Sequence, residues 1–334
     1  MSVDVVIVVR NHAATLPATL AGLAGQSAHA RRIVVVDNAS TDNSVHAVRA
    51  FADRLPLELI ESSENLGFAA AANRAIRRGQ APWLLSLNPD CRLAPDFLES
   101  LVGAAARHDR VGSASGLLLR GRGEELAATD VVDSAGMIVT AGGRHHDRGA
   151  GRTLTVALEQ PARVFGASGA AALYRRAALD DVAYPGGEVF DETFFAYRED
   201  ADLAWRLQRR GWSCLYWPVA RAWHARGLKP EAGRRGTPEI NRHSVRNRFL
   251  LRWSNADRRW LLACFPWWLA RDLIVVLACL TVERSSLPAL AEAFALRRQQ
   301  RARGRANVAR ATVSGWLIAR WFLPGFQVQP LEHS

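Results

Sequence analysis

The first third of the chain alternates short apolar runs with segments of helical spacing. Continuous runs of Val, Ile and Leu predict strands buried on both faces, as in a parallel sheet. This alternation predicts an α/β fold with a mainly parallel sheet flanked by helices. The predicted strands are residues 3–9, 32–36, 57–61 and 83–87, and the predicted helices are residues 15–26, 43–54, 68–78 and 95–107.

The middle of the chain has a weaker pattern. Residues 112–165 are rich in glycine and predict an irregular segment with a mobile loop and a small antiparallel excursion. His145, His146 and Asp147 fall in this segment, and we expect them to be exposed to solvent rather than to bind a ligand. The elements predicted next are a strand at 167–174, a helix at 175–179, a helix at 199–210 and a strand at 213–217.

The positive charge lies in the last third. Residues 1–228 hold 25 Arg and 25 Asp or Glu, whereas residues 229–334 hold 18 Lys or Arg and 7 Asp or Glu, which accounts for the net charge of +11. A stretch rich in Gly, Pro, Arg and Glu at 227–238 predicts a boundary between an α/β domain (1–228) and a basic helical extension (229–334). An arginine-biased composition is the simpler explanation for part of this charge, since the chain has one lysine.

The extension is also rich in tryptophan. Six of the 11 tryptophans follow residue 250. Four of these six fall within helices predicted at 242–253 and 258–282. Arg271 and Asp272 interrupt the apolar run, so no uncharged stretch reaches the roughly 18 residues of a spanning helix. Tryptophan and arginine on apolar helices favour contact with an anionic membrane surface, and packing against the α/β domain is the alternative. We expect no nucleic-acid partner, because no nucleic-acid-binding module is recognisable.

Several classes of protein are excluded by what the sequence lacks. The four cysteines are scattered without a CxxC pair, which argues against a disulfide scaffold or a cysteine zinc site and fits the cytoplasm. The N-terminal segment has no signal-peptide pattern. The dinucleotide, P-loop and serine-hydrolase motifs GxGxxG, GxxxxGK[ST] and GxSxG are absent where those classes need them.

Acidic residues stand at the ends of two predicted strands and at the start of one helix. Asp37 follows the second strand, and Asn88-Pro89-Asp90 follows the fourth. Because ligands bind at the carboxyl ends of parallel strands, these two groups are expected to share one crevice. A carboxylate there suits Mg²⁺ or Mn²⁺ that also binds diphosphate oxygens. Glu199 and Asp200 begin a helix, whose dipole stabilises their charges.

Taken together and in order, these motifs resemble family 2 glycosyltransferases of the GT-A fold, and most closely the bacterial rhamnosyltransferase-like branch. The resemblance covers roughly residues 3–225 and implies a GT-A nucleotide-diphospho-sugar transferase fold with a C-terminal helical extension. The matching stretches are VVVDNASTDNS (34–44), ENLGFAAAANRA (64–75), LLSLNPDCRL (84–93), GASGAAALYRRAAL (166–179), VFDETFFAYREDADLAWRLQRRGW (189–212) and residues 217–224.

The resemblance implies a set of donor-binding residues. Asp37 matches the acid that contacts the base or ribose, with helix capping as the alternative. Asn65, Gly67 and Asn73 match the segment that lines the nucleotide pocket, although Asn65-Leu66-Gly67 is also a common turn. Arg10 and Asn11 stand where the family has Thr-Tyr-Asn. The aromatic residue is missing, and Arg10 is instead a candidate for phosphate contact.

The same resemblance assigns the metal and the chemistry. Asn88 and Asp90 match the Asp-x-Asp metal motif, with one anionic ligand fewer, and His224 matches a histidine that completes the site. Asp200 matches the proposed catalytic base, with Glu199 as its neighbour and second candidate, while Asp202 has a structural role. Capping of the helix is the alternative for these acids. Trp205 and Trp212 are candidates to line the acceptor site, with helix packing as the alternative for Trp212.

The resemblance implies an inverting, metal-dependent hexosyltransferase. The first candidate donor is dTDP-rhamnose, and the acceptor is a hydroxyl of a cell-envelope glycan or lipid-linked sugar. The basic extension would hold the enzyme at the inner face of a bacterial membrane. Deleting residues 240–334 is then expected to leave a folded fragment that no longer binds membranes. A catalytically inactive sugar-nucleotide-binding scaffold protein is the alternative, and donor turnover separates the two.

Overall fold

A computed structural model describes residues 2–226 and 238–331. Most of the boundary segment predicted at 227–238 lies outside these residues. The strands are β1 Val3–Val9, β2 Arg32–Asn38, β3 Leu57–Ser62, β4 Trp83–Leu87, β5 Cys91–Leu93, β6 Val111–Arg122, β7 Ala127–Ser134, β8 Met137–Val139, β9 His145–Asp147, β10 Ala162–Val164, β11 Ala171–Arg175, β12 Ser213–His224 and β13 Val328–Pro330.

Helices cover both faces of the sheet and form the extension. They are α1 Leu16–Ala24, α2 Ser44–Arg49, α3 Gly67–Ile76, α4 Phe97–Ala106, α5 Arg176–Val182, α6 Glu199–Arg209, α7 Pro238–Asn255, α8 Arg258–Ala263, α9 Trp267–Thr281, α10 Leu287–Ala309 and α11 Gly315–Arg320. In the described part of the chain, 3₁₀ turns lie at Val156–Leu158, Glu192–Phe194 and Arg284–Ser286.

The four strands predicted from the apolar runs form the parallel half of the sheet, in the order β4-β1-β2-β3. Val9 pairs with Asp37, and Ile7 pairs with Leu87, the residue before Asn88. The two polar groups therefore lie at one edge of the sheet on either side of β1, as predicted.

The remaining strands make the sheet mixed rather than parallel throughout. β11 pairs antiparallel with both β4 and β6, whereas β12 runs parallel to β6 and antiparallel to β5 and β10. Within the described residues, the main sheet has eleven strands.

The prediction that residues 112–165 are irregular is wrong at their start. β6 is a twelve-residue strand with its first nine residues buried. Its small residues fit close packing, because a Cβ on Gly116 would lie 2.4 Å from the Ala220 carbonyl oxygen and 2.7 Å from the Phe97 ring. A Cβ on Gly112 would lie 2.7 Å from Trp212 Cβ. Glycine in this strand therefore marks close approach, not a loop.

The prediction that His145, His146 and Asp147 are exposed is also wrong. They form β9, which pairs with β8 in a two-stranded hairpin, and all three are partly buried. Burial, with the nearby Arg198 charge, lowers the pKa of His145 to about 3. Asp147 Oδ2 accepts a hydrogen bond from Arg226 at 2.9 Å. Local composition could not indicate this pairing, because Arg226 is distant in the chain.

The extension shares a core with the α/β part of the chain. Trp205 of α6 lies 5.1 Å from Trp260 and 4.7 Å from Phe322 between ring centroids, and all three are buried. The division at 228/229 stays a prediction. Deletion of residues 240–334 would remove part of the shared core, so the expectation of a folded fragment no longer follows.

The single helix predicted at 258–282 is instead two helices. α8 ends before Phe265-Pro266 and α9 begins at Trp267, because proline lacks the amide hydrogen and disfavours helical geometry in the residue before it. In the described part of the chain, no single helix has the length and hydropathy to cross a membrane. α9 and α10 meet that test only as a pair bent by 110°.

Candidate active site

Asp37 lies at the edge where the parallel strands end. β2 continues one residue beyond it, so its carboxylate is held in regular strand geometry and is buried. Oδ2 accepts a hydrogen bond from the Ser40 amide at 3.2 Å. Oδ1 is buried and has no hydrogen-bond partner among residues 2–226 and 238–331. A buried carboxylate oxygen without a partner is costly, so this atom is suited to a ligand hydroxyl or amide.

Arg10 and Asn11 begin the loop after β1. Asn11 has a positive φ of 57°, and its Oδ1 accepts the Thr41 amide at 2.8 Å. Its own amide donates to Ser40 Oγ at 3.1 Å. These bonds tie the loop after β1 to the loop after β2. The Asn11 side chain thus shapes this edge, while the Arg10 residue is exposed beside it.

Asn65 and Gly67 form a tight turn against β2. Asn65 Oδ1 accepts from Asn38 Nδ2 at 2.9 Å and from the Gly67 amide at 3.1 Å. Gly67 has φ +78°, and a Cβ there would lie 2.5 Å from the Phe195 ring. Glycine is therefore required by packing on Phe195 as well as by backbone conformation. This turn thereby links the end of β2 to the segment before α6.

Asn73 is not placed for the predicted nucleotide contact. It is fully buried, and its Nδ2 donates to the Phe190 carbonyl at 2.7 Å and to Glu192 Oε1 at 3.0 Å. Its Oδ1 accepts from the amides of Val189 and Phe190 at 3.1 and 2.9 Å. Because these contacts use both ends of the amide, Asn73 positions the 189–192 segment instead.

The Asn88-Pro89-Asp90 turn is fixed from below by Thr19. The buried Thr19 hydroxyl donates to the Pro89 carbonyl at 2.9 Å and accepts from the Cys91 amide at 3.1 Å. The Asn88 amide donates to the Ala170 carbonyl at 2.9 Å. These bonds to α1 and to the segment before β11 hold Asp90 at the crevice.

His224 reaches Asp90 through strand pairing. β5, which begins directly after Asp90, runs antiparallel to the end of β12, so Cys91 pairs with His224. The ring atom His224 Nε2 lies 3.2 Å from Asp90 Oδ1. It also lies 3.4 Å from Asn88 Nδ2. The three residues predicted to form the metal site are thus adjacent.

A second carboxylate orients His224. Its Nδ1 lies 2.8 Å from Asp133 Oδ2, and Asp133 Oδ1 accepts from Arg226 at 2.9 Å. Arg226 also bonds Asp147, so the line of charged groups continues into β9. Burial opposes the charged form of His224, but its bonds to Asp133 and Asp90 outweigh it and raise the pKa to about 10. Asp133 and Arg226 were not predicted as site residues, because no local motif marks either of them.

The donor set around Asp90 is compatible with a divalent metal. Among the described residues, no group of three or more His, Cys, Asp or Glu side chains is already arranged around a metal position. Asp90 Oδ1 and His224 Nε2 nevertheless face each other, and Asp133 holds the opposite ring nitrogen. A histidine ligand commonly donates its second N–H to a carboxylate in this way. Metal binding at Nε2 requires loss of the proton on that nitrogen.

A strained turn precedes the second acidic pair. Phe195, Tyr197 and Arg198 have φ of 64°, 70° and 74°, a conformation that costs about 1–3 kcal/mol for a residue with a side chain. α6 begins immediately afterwards with Glu199 and Asp200. Such strain persists only where the surroundings enforce it, and it often marks a functional site.

Asp200 is held by two backbone groups. Its Oδ1 accepts the Ala201 amide at 2.7 Å, and the Gly169 backbone also hydrogen-bonds the Asp200 carboxylate. Desolvation raises the pKa of Asp200, and the neighbouring Asp147 adds to this effect. Desolvation and the Asp200 charge also raise the pKa of Glu199, whose Oε2 is buried without a partner in the described chain. Carboxylates with raised pKa values suit proton transfer near neutral pH.

The strained turn is enforced from the extension. Asn247 of α7 is fully buried, and its Nδ2 lies 2.9, 2.8 and 2.8 Å from the carbonyl oxygens of Phe194, Ala196 and Tyr197. Arg246 donates to the Phe194 carbonyl at 2.7 Å. The helical extension therefore determines the backbone path into Glu199 and Asp200. No local motif in the sequence marks Arg246 or Asn247.

The other side chains singled out on α6 and after it have structural positions. Asp202 is buried and pairs with Arg206 at 2.8 Å and Asn255 at 2.7 Å, as its predicted structural role requires. Trp205 lies in the core shared with the extension, so it does not line an acceptor site. Trp212 donates to Asp181 at 2.8 Å and lies beneath Arg110. Both tryptophans are therefore part of the packing.

Sequence comparison identifies relatives among the glycosyltransferases. The model of "Glycosyl transferase family 2" matches residues 4–183, more than half of the chain. The N-acetylglucosaminyl-diphospho-decaprenol L-rhamnosyltransferase of Mycobacterium tuberculosis is 30% identical over 256 residues, covering 69% of this chain and 79% of that protein. The poly-beta-1,6-N-acetyl-D-glucosamine synthase of Staphylococcus aureus is 21% identical, covering 64% of this chain and 47% of that protein.

Solved structures share the fold at lower identity. S. aureus TarS 1-349 is 18% identical with a TM-score of 0.53, covering 92% of this chain and 89% of that chain. A mannosyltransferase from Pyrobaculum calidifontis, solved with GDP-Man and Mn²⁺, is 22% identical with a TM-score of 0.52, covering 92% and 85%. The mixed sheet flanked by helices is thus a GT-A-like fold. The chain belongs to glycosyl transferase family 2 and is a glycosyltransferase.

Proposed function

We propose that the chain is an inverting transferase that moves a sugar from a nucleotide-diphospho-sugar to a hydroxyl of a lipid-linked cell-envelope acceptor. The observation that carries the proposal is the pairing of Asp90 with His224 at the crevice where β1 and β4 end. Glu199 and Asp200 supply a second acidic group for the acceptor. dTDP-rhamnose is the first candidate donor, because the mycobacterial relative is named as an L-rhamnosyltransferase.

The donor would lie along the carboxyl edge of the parallel strands. Asp37 Oδ1 is the buried oxygen available to a base or ribose group. Arg10, exposed after β1, is available to the diphosphate, and Asn11, Asn65 and Gly67 shape the loops around it. The change in strand order between β1 and β4 supports a donor crevice between Asp37 and Asp90.

Asp90 and His224 would hold Mg²⁺ or Mn²⁺, with Asn88 beside them. When bound there, a divalent ion would offset the negative charge that builds on the leaving diphosphate. Structures of the fold solved with Mn²⁺ support this choice of metal. Asp133 contributes by fixing the ring orientation of His224 through Nδ1.

Asp200 would act as the general base. Its carboxylate takes the proton of the acceptor hydroxyl as that oxygen bonds the anomeric carbon and the bond to the nucleotide diphosphate breaks. One displacement inverts the configuration and needs no covalent sugar–enzyme intermediate. Glu199 lies next to Asp200 on α6 and is the candidate to position the acceptor. We place this reaction at the inner face of the bacterial membrane, where lipid-linked acceptors lie.

A thermal-shift panel tests the donor assignment. dTDP, UDP, GDP and ADP are each added with and without Mg²⁺ or Mn²⁺, because a ligand of the native state raises the melting temperature. The proposal predicts a metal-dependent rise with one nucleotide, dTDP first. No rise with any nucleotide would contradict it. A rise accompanied by no turnover of the sugar nucleotide would favour an inactive scaffold protein.

A further inference from the structure

A wide cavity lies in the extension, at the far end of α6 from the proposed catalytic residues. Its volume is about 1060 Å³, and α6 reaches it through Arg209. Glu199 begins the same helix ten residues earlier, so the helix alone separates them by about 15 Å at 1.5 Å per residue. None of the residues proposed to bind the donor lines this cavity, so its ligand would be distinct from the sugar donor.

Six arginines line the cavity, and four of them lack an acidic partner among the described residues. Two of its six arginines are neutralised, since Arg209 pairs with Asp257 and Arg252 pairs with Asp272. The other four are exposed, and no ion pair or hydrogen bond joins their side chains to any described residue. They are Arg258, Arg259, Arg301 and Arg305. Four arginines around one cavity create a positive potential that suits phosphate groups.

An apolar surface begins at the rim of this cavity. Trp268 of α9 lines the cavity, and its neighbour Trp267 is exposed. Leu269, Leu273, Leu277 and Leu280 recur every three or four residues, so they share one face of α9. Leu273 is 63% exposed and Leu277 is 60% exposed. A solvent-exposed apolar face of this length indicates an interaction site.

We propose that this combined surface docks on an anionic bilayer, with α9 in the interface plane and lipid phosphates in the arginine cavity. The positive charge of the cavity and the apolar face of α9 together favour an anionic bilayer as the binding partner. Arginine suits phosphate headgroups, the aromatic rim suits the headgroup level, and the leucine face suits the acyl boundary. The purpose of this membrane contact rests on the proposed function, because the contact would bring the active site to a lipid-linked acceptor. The contact itself does not depend on which sugar is transferred.

The test is cosedimentation of the full chain with vesicles of phosphatidylcholine, alone or mixed with phosphatidylglycerol. We expect binding to the mixed vesicles only. R301Q/R305Q should weaken that binding about thirtyfold, because each arginine near an anionic surface contributes about a factor of five. The matched control is R31Q/R77Q, which removes two exposed arginines from the α/β part of the chain. It should bind as the unmodified protein does.

Two further arms separate the sources of phosphate. L273S/L277S should lose vesicle binding but keep any calorimetric signal with inorganic pyrophosphate, because the arginine cavity is unchanged. Equal binding of R301Q/R305Q and R31Q/R77Q would overturn the proposal. Binding of pyrophosphate or single-stranded RNA without binding of vesicles would also overturn it.

The dTDP and Mn²⁺ thermal shift, measured on the same proteins, keeps the two proposals apart. A normal nucleotide response without vesicle binding refutes the docking surface alone. Vesicle binding that depends on Arg301 and Arg305 without any nucleotide response refutes the donor assignment alone. The melting temperature in buffer shows whether each variant is folded.

Discussion

The side-chain amide of Asn247 lies 2.8 Å from the carbonyl oxygen of Tyr197, two residues before Glu199. This contact joins the extension to a turn in which Tyr197 and Arg198 both have positive φ. The proposed base therefore owes its position to a helix beyond the segment matched by the family model, which ends at residue 183.

Replacing Asn247 tests this connection. N247A removes the donor to three carbonyls, so we expect the free energy of unfolding to fall by about 1–3 kcal/mol. The turn before α6 should also relax, which lowers kcat more than it changes the KM for donor. Steady-state kinetics and denaturant titration measure the two effects. A stability loss with normal kcat would mean that Asn247 supports the fold without positioning Asp200.

Replacing Asp133 tests the orientation of His224. D133N removes the carboxylate facing Nδ1, so we expect Mn²⁺ affinity to fall about 10–100-fold, as for other groups that orient a histidine ligand. The readout is the Mn²⁺ concentration that half-maximally activates the enzyme. D130N is the matched control, because Asp130 lies on the same strand and is exposed. Equal metal dependence in the two variants would argue against a metal on His224.

Gly169 offers a probe of Asp200 that leaves the carboxylate in place. A Cβ at position 169 would lie 3.2 Å from Asp200 Oδ2, so G169A should displace the carboxylate by a few tenths of an ångström. We expect kcat to fall about tenfold or more, since small misplacements of a catalytic group are costly. The nucleotide thermal shift should persist. G103A is the control, because a Cβ on Gly103 meets no atom within 4 Å.

The raised pKa of Asp200 predicts the acidic limb of the pH profile. Desolvation favours the protonated carboxyl, which cannot accept the acceptor's proton, so activity should fall as the pH drops through the raised pKa. An ordinary aspartate has a pKa of about 3.9. The decline in kcat should therefore begin well above pH 4. A profile that is flat down to about pH 4 would show that no such carboxylate limits the reaction.

The pattern of apolar and polar residues correctly predicted β1, β4 and α6. β1 and β4 have the predicted bounds, because continuous β-branched and aliphatic runs suit a strand buried on both faces. The helix starting at Glu199 was predicted to within a residue at its end. The adjacency of Asp90 and His224 was expected only through the family resemblance. Its physical cause is the antiparallel pairing of β5 with β12.

The errors arose where tertiary packing overrides local preference. The glycines of β6 suggested a loop, but they allow the Ala220 backbone and Phe97 to approach the strand. Asn73 matched a nucleotide motif, although its amide is used to hold the Phe190 backbone. Asp133 and Asn247 carry no motif at all, because their partners are distant in sequence.

The most direct test of the account is sugar transfer by D200N, measured beside nucleotide binding by the same protein. Asparagine keeps the size of the side chain but cannot accept the acceptor's proton. We predict that transfer from the nucleotide sugar falls at least about a hundredfold, while the metal-dependent thermal shift with nucleotide is retained. Transfer at the unmodified rate by D200N would contradict the assignment of Asp200 as the base.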